Sequence, residues 1–301
     1  MECKTSNFPV QVLDRKSFPK SLLKLPKPPE RLYFRGTLPD FGKSWIAMVG
    51  TRRPSPYAED ICQRLIAHLR RTEAVVVSGL AQGIDSFCHM HAIRSNIPTV
   101  AVIAQGIDAS IGGSRGNVAR QILQNGGAIL SKYAGKTPSR KFMFPERNLI
   151  IAGLCKSTTL VESRESGGGM LTVRFARELK RPILCVPGNI LFETSQGPNR
   201  SIAKKEAIPI WQPEDFPDLC GAKRLSDPTP KDLLQTGIRL ENDAQNLFRK
   251  CAGFTYSIET LRQDFDISIS RLLAILTELE IAGLVHSRDG NEFHFLAAES
   301  S

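Results

Sequence analysis

The residues of this chain best suited to chemistry are donors to phosphate. In Gly50-Thr51-Arg52-Arg53-Pro54 a glycine lets the backbone turn sharply, the Thr51 hydroxyl can donate to a phosphate oxygen, and the Arg52 guanidinium does so as a fork. Ser166-Gly167-Gly168-Gly169 precedes a helical pattern, and such a run leaves backbone N–H groups bare as an anion nest. From Lys132 to Arg147 stand Lys132, Lys136, Arg140, Lys141 and Arg147 against one acid, Glu146, with the rings of Tyr133, Phe142 and Phe144 interleaved. Cations neutralise phosphates while a ring offers any base a stacking face, as sequence-tolerant binding of a single strand requires. The competing reading is a solvated basic loop whose rings tuck into the core. Acid–base groups are few. Glu162 and Glu165 could suggest hydrolysis, but more often one of such a pair holds an arginine or caps a helix. Asp85 is expected to cap a helix or hold a neighbouring loop. No catalytic residue is assigned.

These segments fall where strand-like runs pass into helix-like ones. WIAMVG (45–50) is a short apolar strand, and Pro54 and Pro56 introduce a helix with Ile61, Leu65 and Leu69 on one face. AVVVSG (74–79) is the next strand, followed by the loop Leu80–Asp85 and a helix from about Ser86, read as its N-cap. TVAVIA (99–104) and the helix VARQILQ (118–124) come next. AILSKY, STTLVE and ILCVP supply three more strands, with helices at about 146–154 and 169–180. Alternating strands and helices imply an α/β fold with a mostly parallel sheet covered on both faces. Residues 1–44 are Pro-punctuated and read as an extended N-terminal arm, 45–215 as the core, and 216–241 as a linker. Three helical patterns and a Gly-centred hairpin over 242–301 form a winged-helix pattern.

Composition narrows the classes. The chain has 301 residues, enough for one large domain and a small one, and a formal charge of +10, which favours a polyanionic partner. Seven cysteines are scattered with no CxxC, so they read as free thiols in a reducing, cytoplasmic setting. His89 and His91 are two apart, on different sides of a helix, which disfavours a metal site. No cofactor is expected, since GxGxxG is absent after the first strand. No signal peptide and no membrane-length apolar run is found, so no membrane partner is expected.

Taken in order, VGTRRPS, SGLAQGIDSFCH, FPERNLIIAGL, VESRESGGGMLT and VPGN with GPNRSIAKKEAIPI resemble the DNA-processing protein A family, also called DprA or Smf, over roughly residues 45–212. The resemblance implies an extended Rossmann-like core, often with a C-terminal winged-helix domain. It implies a homodimer that binds single-stranded DNA and loads a RecA-type recombinase onto incoming DNA in natural transformation, with no catalytic activity. It implies that Gly50, Thr51 and Arg52 bind phosphate, that Lys141 is a basic contact, that Phe144 meets bases, and that Arg147 and Asn148 form the Arg-Asn pair. Ser166 and Gly167 join this set from the nest argument above. The chain departs from the family pattern in several places. Thr51 replaces a serine, Leu149 stands where a second arginine is common, and ASIGGSRGN (109–117) lacks the usual Tyr-Pro. Ser131-Lys132 replaces Ser-Glu, and Glu206-Ala207 replaces Gly-Ala.

Two other functions fit parts of the pattern. A phosphoribohydrolase-like Rossmann nucleotide hydrolase also pairs a Gly-rich loop with a helix, but the expected Glu is missing from the turn that continues Val173, Arg174, Phe175. A duplex-DNA regulator would use the winged helix, yet only Arg271 is well placed there, and Glu278, Glu280, Asp289 and Glu292 would repel the phosphate backbone.

Overall fold

Residues 8–225, 241–251, 254–288 and 291–295 are described by the computed structural model. The chain divides into two compact units, residues 1–225 and 226–301. In the first, strands β1 (Gln11–Asp14), β2 (Arg31–Gly36), β3 (Ser44–Val49), β4 (Ala74–Ser78), β5 (Thr99–Ile103), β6 (Ala128–Ser131), β7 (Ser157–Leu160), β8 (Ile183–Cys185) and β9 (Ile208–Pro209) form one sheet. Their order is β1-β2-β6-β5-β4-β3-β7-β8-β9. Neighbours from β6 through β9 pair in parallel, with Ile46 of β3 opposite Val76 on one side and Ser157 on the other. The helices are α1 (Lys20–Leu23), α2 (Pro56–Ala67), α3 (Ile84–Arg94), α4 (Gly113–Gln124), α5 (Met143–Leu154), α6 (Gly168–Glu178), α7 (Glu193–Ala203) and α8 (Phe216–Leu219).

Successive strand residues point to opposite faces, and both faces of this sheet are covered. Trp45, Ala47 and Val49 of β3 pack with Ile150 of α5 and Val173 of α6. Ile46 and Met48, on the alternate positions, pack instead with Leu65 of α2 and Cys88 of α3. The continuous apolar runs of β3, β4 and β5 follow from this double burial.

The N-terminal segment is not an arm. Strand β2 pairs antiparallel with β6, β1 pairs antiparallel with β2, and Phe18, Leu22, Leu25, Leu32 and Phe34 lie in the core. The prolines that suggested an extended chain sit between these elements, where they interrupt no ladder. The stretch expected to begin the linker is also structured: Phe216 is buried and Cys220 nearly so, both packed on the α2–α3 face. Residues 226–240 of the expected linker lie outside the described residues.

Ser86 is not an N-cap. The α3 helix begins at Ile84 after Gly83, and the Ser86 hydroxyl donates to Ala81 O at 2.7 Å. Helices α4, α5 and α6 begin at 113, 143 and 168, ahead of the expected 118, 146 and 169. Six cysteines are free and buried among the described residues, and burial pushes the Cys185 thiol up to about 12.

The second unit contains α9 (Asn242–Cys251), α10 (Ile258–Phe265) and α11 (Ile269–Ile281), with strands β10 (Thr255–Ser257), β11 (Val285–Arg288) and β12 (Glu292–Phe295). The strands form a three-stranded sheet ordered β10-β12-β11. Ser257 and Ser268 cap α10 and α11 by accepting from Thr260 N and Arg271 N. Leu247, Leu261, Leu272, Leu276 and Phe295 fill its separate core. The hairpin tip at 289–290 is outside the described residues.

Candidate nucleic-acid interface

From β3 the chain steps through β4, β5 and β6 in one direction, then returns to place β7 on the other side of β3. The loops after β3 and β7 therefore leave the sheet in opposite directions, and a crevice opens at the carboxyl ends of these strands. A cleft of about 500 Å³ lies there, lined by the loops 50–53 and 163–169 and by the start of α5.

Backbone hydrogen bonds lace the surrounding loops together. Thr51 N donates to Glu162 O at 2.7 Å, and Ile84 N donates to Thr51 O at 3.2 Å. Gly83 makes that second contact possible. It has φ +81°, and a Cβ there would stand 2.5 Å from Thr51 O. The Glu162 carboxylate accepts from Ser55 N at 3.0 Å and Ser55 Oγ at 2.5 Å, so it closes the amino end of α2. Glu165 pairs with Arg200. Both acids thus make structural contacts, where only one of the pair was expected to. On the far side, α7 contains Pro198, which has no N–H to give to the carbonyl of Thr194. That carbonyl accepts from Ser163 N at 2.6 Å instead, and Ser163 O accepts from Gly197 N at 2.9 Å. The proline therefore docks α7 onto the glycine-rich loop. Its breaker character is also the reason the segment was not read as a helix.

At the cleft wall the Arg52 guanidinium lies over the ring of Phe144, 5.6 Å from its centroid. Phe144 is half-buried at the start of α5, and Arg52 is exposed, with no carboxylate within 4 Å among the described residues. The Thr51 hydroxyl accepts from Arg53 N at 3.2 Å, which leaves its proton free to donate. Gly167 caps α6, and the first N–H groups of that helix, at Gly168 and Gly169, have no partner within it.

Arg147 occupies a different position from the one expected of a phosphate contact. Its side chain is 8% exposed, it stands 3.8 Å from Asp85, and it donates to Val102 O at 3.2 Å. Gly79 makes room for it: a Cβ there would fall 1.2 Å from Nη1. Asp85 accepts from Gly79 N and Ala81 N at 3.1 and 3.2 Å, so it holds the β4–α3 loop. Burial pushes the Asp85 carboxyl up, while Arg147 and these N–H groups oppose the rise. Burial likewise pushes the Arg147 guanidinium down. Asp85 counters this, and the nearby Arg52 and Arg115 cations add to it.

Of the expected site residues, Gly50, Thr51, Arg52, Phe144, Arg147, Asn148 and Gly167 line this one cleft. Asn148 also ties α5 to the glycine run, with Nδ2 3.4 Å from Gly168 O. Lys141 and Ser166 are exposed and lie outside the cleft lining. Phe142 is 55% exposed, so it has not tucked into the core.

A family profile described as DNA recombination-mediator protein A matches residues 10–220. The chain belongs to this family. It is 32% identical over 203 residues to Protein Smf of Escherichia coli, covering 67% of this chain and 54% of that protein. It therefore spans about half the length of that relative. It is 32% identical to DNA processing protein DprA of Bacillus subtilis over 206 residues, covering 68% of each. A solved structure of DNA processing protein A from Helicobacter pylori, described in terms of its single-stranded DNA binding mode, aligns with a TM-score of 0.65 at 27% identity. That alignment covers 72% of this chain and 97% of that one.

In this member of the DNA recombination-mediator protein A family, the departures noted above each have a physical place. Lys132 bonds Glu146 at 2.8 Å, and Tyr133 donates to the same carboxylate. Burial works against the Glu146 carboxylate, yet these two bonds hold it below the usual range. Lys132 is thus a partner of Glu146 rather than an open phosphate contact. Leu149 packs against the core. Glu206 pairs with Arg177 at 2.8 Å. The segment 109–117 passes from loop into helix at Gly113 and places Arg115, which sequence reasoning missed, in the first turn of α4. Its signal was present in Gly112-Gly113-Ser114-Arg115, a glycine-rich passage after a strand like those at the other two loops.

Among the described residues, no group of His, Cys, Asp and Glu is arranged to hold a metal ion. Among the same residues, no helix is long and apolar enough to cross a membrane.

Proposed function

We propose that this chain binds single-stranded DNA at the carboxyl rim of its sheet without cutting or modifying it. The observation that carries this reading is the exposed Arg52 guanidinium, free of any acid among the described residues, lying over the Phe144 ring at the switch point. A strand laid across the rim gives its phosphates to Arg52, to the Thr51 hydroxyl and to the bare N–H groups of α6, and a base to the Phe144 ring. Lys141 and Ser166, exposed beside the cleft, extend the path, while Arg147 supports the floor from below. The description of the Helicobacter pylori relative as a single-stranded DNA binder supports the same reading. The hydrolase reading loses support because Glu162 caps α2 and Glu165 is paired with Arg200.

The wider role is a recombination mediator that works in the cytoplasm as a homodimer and brings a RecA-type recombinase onto the strand during transformation. The second unit is a winged-helix domain used for protein contact, since Arg271 is held by Glu241 and Asp243 at 2.5 and 2.8 Å and is not open to a duplex.

The test is fluorescence anisotropy of the full chain on an oligothymidine. Phe144→Ala is expected to weaken binding by ~1–3 kcal/mol, roughly 5- to 150-fold, with little change in melting temperature. Unchanged affinity in both Phe144→Ala and Arg52→Ala would discard the assignment.

A further inference from the structure

A second cleft, of about 350 Å³, adjoins the first and shares Arg52, Ala81, Phe144 and Arg147 with it. The Arg52–Phe144 stack is therefore a wall common to both. The second cleft extends to the ends of β4 and β5 and to the first turn of α4, and it contains Arg115, Gln105 and Ser139. None of these residues belongs to the set carried over from the family pattern. Arg115 comes from the segment where this chain departs from that pattern.

Three features of this cleft suit one nucleotide. The first is charge. Arg52 and Arg115 have no carboxylate within 4 Å among the described residues, and both act on the buried Arg147 guanidinium. The nearby acid, Asp85, is already engaged by Arg147 and two backbone N–H groups. The second is an unsatisfied donor. Arg147 Nε is buried and bonds nothing, although buried donors are nearly always paired. The third is shape and polarity. Leu80, Ile103 and Ile111 give an apolar side, and Gln105 spends its Nε2 on Ser110 O at 3.0 Å, which leaves Oε1 as the acceptor able to meet a ligand. The volume lies at the small end of ligand sites, which run from about 300 to 1,000 Å³.

We infer that this second cleft is a nucleotide subsite. It takes one unpaired nucleotide of the bound strand, with its phosphate between Arg52 and Arg115 and its base on the Leu80–Ile103–Ile111 side. The inference rests on the single-strand reading above and deepens it. The strand passes over the Arg52–Phe144 wall from one cleft to the other, so Arg52 serves both and Arg115 only the second. No bond is made or broken.

The experiment uses the full chain and an oligothymidine, with affinity measured from 0.05 to 0.5 M salt. Arg115→Ala is expected to lose one phosphate contact: the slope of log K against log salt falls by about 0.7, and affinity at 0.15 M salt falls about fourfold. Ser139→Trp, at an exposed position, is expected to fill the cleft and lower affinity without changing the slope. If Arg115→Ala fails to fold, Ser139→Trp together with Arg115→Lys carries the test, the lysine keeping the slope. Wild-type affinity and slope in the Arg115 and Ser139 variants, with Arg52→Ala weakened, would overturn the subsite and leave the single-strand reading standing. Wild-type binding in Arg52→Ala and Phe144→Ala as well would overturn both.

Discussion

Arg115 and Arg271 occupy matching places in the two units, each the third residue of its helix, α4 and α11. Their surroundings differ. Arg271 is gripped by Glu241 and Asp243, whereas Arg115 faces a cleft that already holds Arg52 and Arg147 and, among the described residues, is lined by no acid. A cation beside two carboxylates contributes little to the field a polyanion feels, while a cation among cations is held ready for one. A net charge of +10 gives no hint of this distinction. At the rim of the sheet, where the strand order opens a crevice, Arg52, Arg115 and Arg147 come together.

The comparison breaks most severely if the rim's buried support can be removed without consequence. Gly79→Ala puts a methyl where Arg147 Nη1 lies, drives the guanidinium off Asp85 and leaves a buried carboxylate without its counter-charge. A cost of roughly 3 kcal/mol is expected. It reads as a fall of about 6–12 °C in the melting temperature of the first unit. Calorimetry showing an unshifted transition would mean that Arg147 and Asp85 do not brace the rim.

Acid sharpens the contrast next, because a buried histidine lies below the rim. His89 bonds Thr99 Oγ1 at 2.7 Å, and burial pushes it down to about 3 from an ordinary 6.5. Between those values the unfolded chain binds the extra proton, so stability is lost as pH falls below about 6.5. By pH 5 the loss is on the order of 2 kcal/mol. His91, lowered chiefly by burial, acts in the same direction. Asp85 is shifted up, and it acts in the opposite direction nearer its own range. His89→Gln is expected to flatten melting temperature against pH between 6.5 and 5. An equally steep curve in the variant would assign the acid sensitivity to another group.

The smallest effect is the most direct check on the matched arginines. Arg271→Ala is expected to leave oligothymidine affinity and its salt slope at wild-type values, while Arg52→Ala lowers the slope by about 0.7. A slope that falls equally in both variants would place the second unit on the strand and erase the distinction drawn between them.

Much of the rim was legible in advance. Gly50-Thr51-Arg52 and Gly167 were visible as glycine-rich exits from apolar runs, and Phe144 as a ring among cations. Such local patterns survive folding because turns and helix starts depend on near neighbours. The first strands were hidden because Pro-punctuated stretches such as LPKPPERLYFRG look extended whether or not a sheet edge receives them, and β2 is a strand only because β6 lies beside it. Arg147 was taken for a surface cation because its partner, Asp85, is 62 positions earlier, and the space it fills exists only because residue 79 is glycine. Arg115 was passed over because it lies where the familiar motif fails.

The amino-acid order alone settled the alternation of strand and helix, the glycine-rich loops at the strand ends, and the scarcity of acid–base groups. Tertiary structure alone decided which cations stay unpaired, since burial and ion pairing are imposed by residues far along the chain. It also decided where those loops converge, because a crevice forms only where consecutive strands depart to opposite sides of β3.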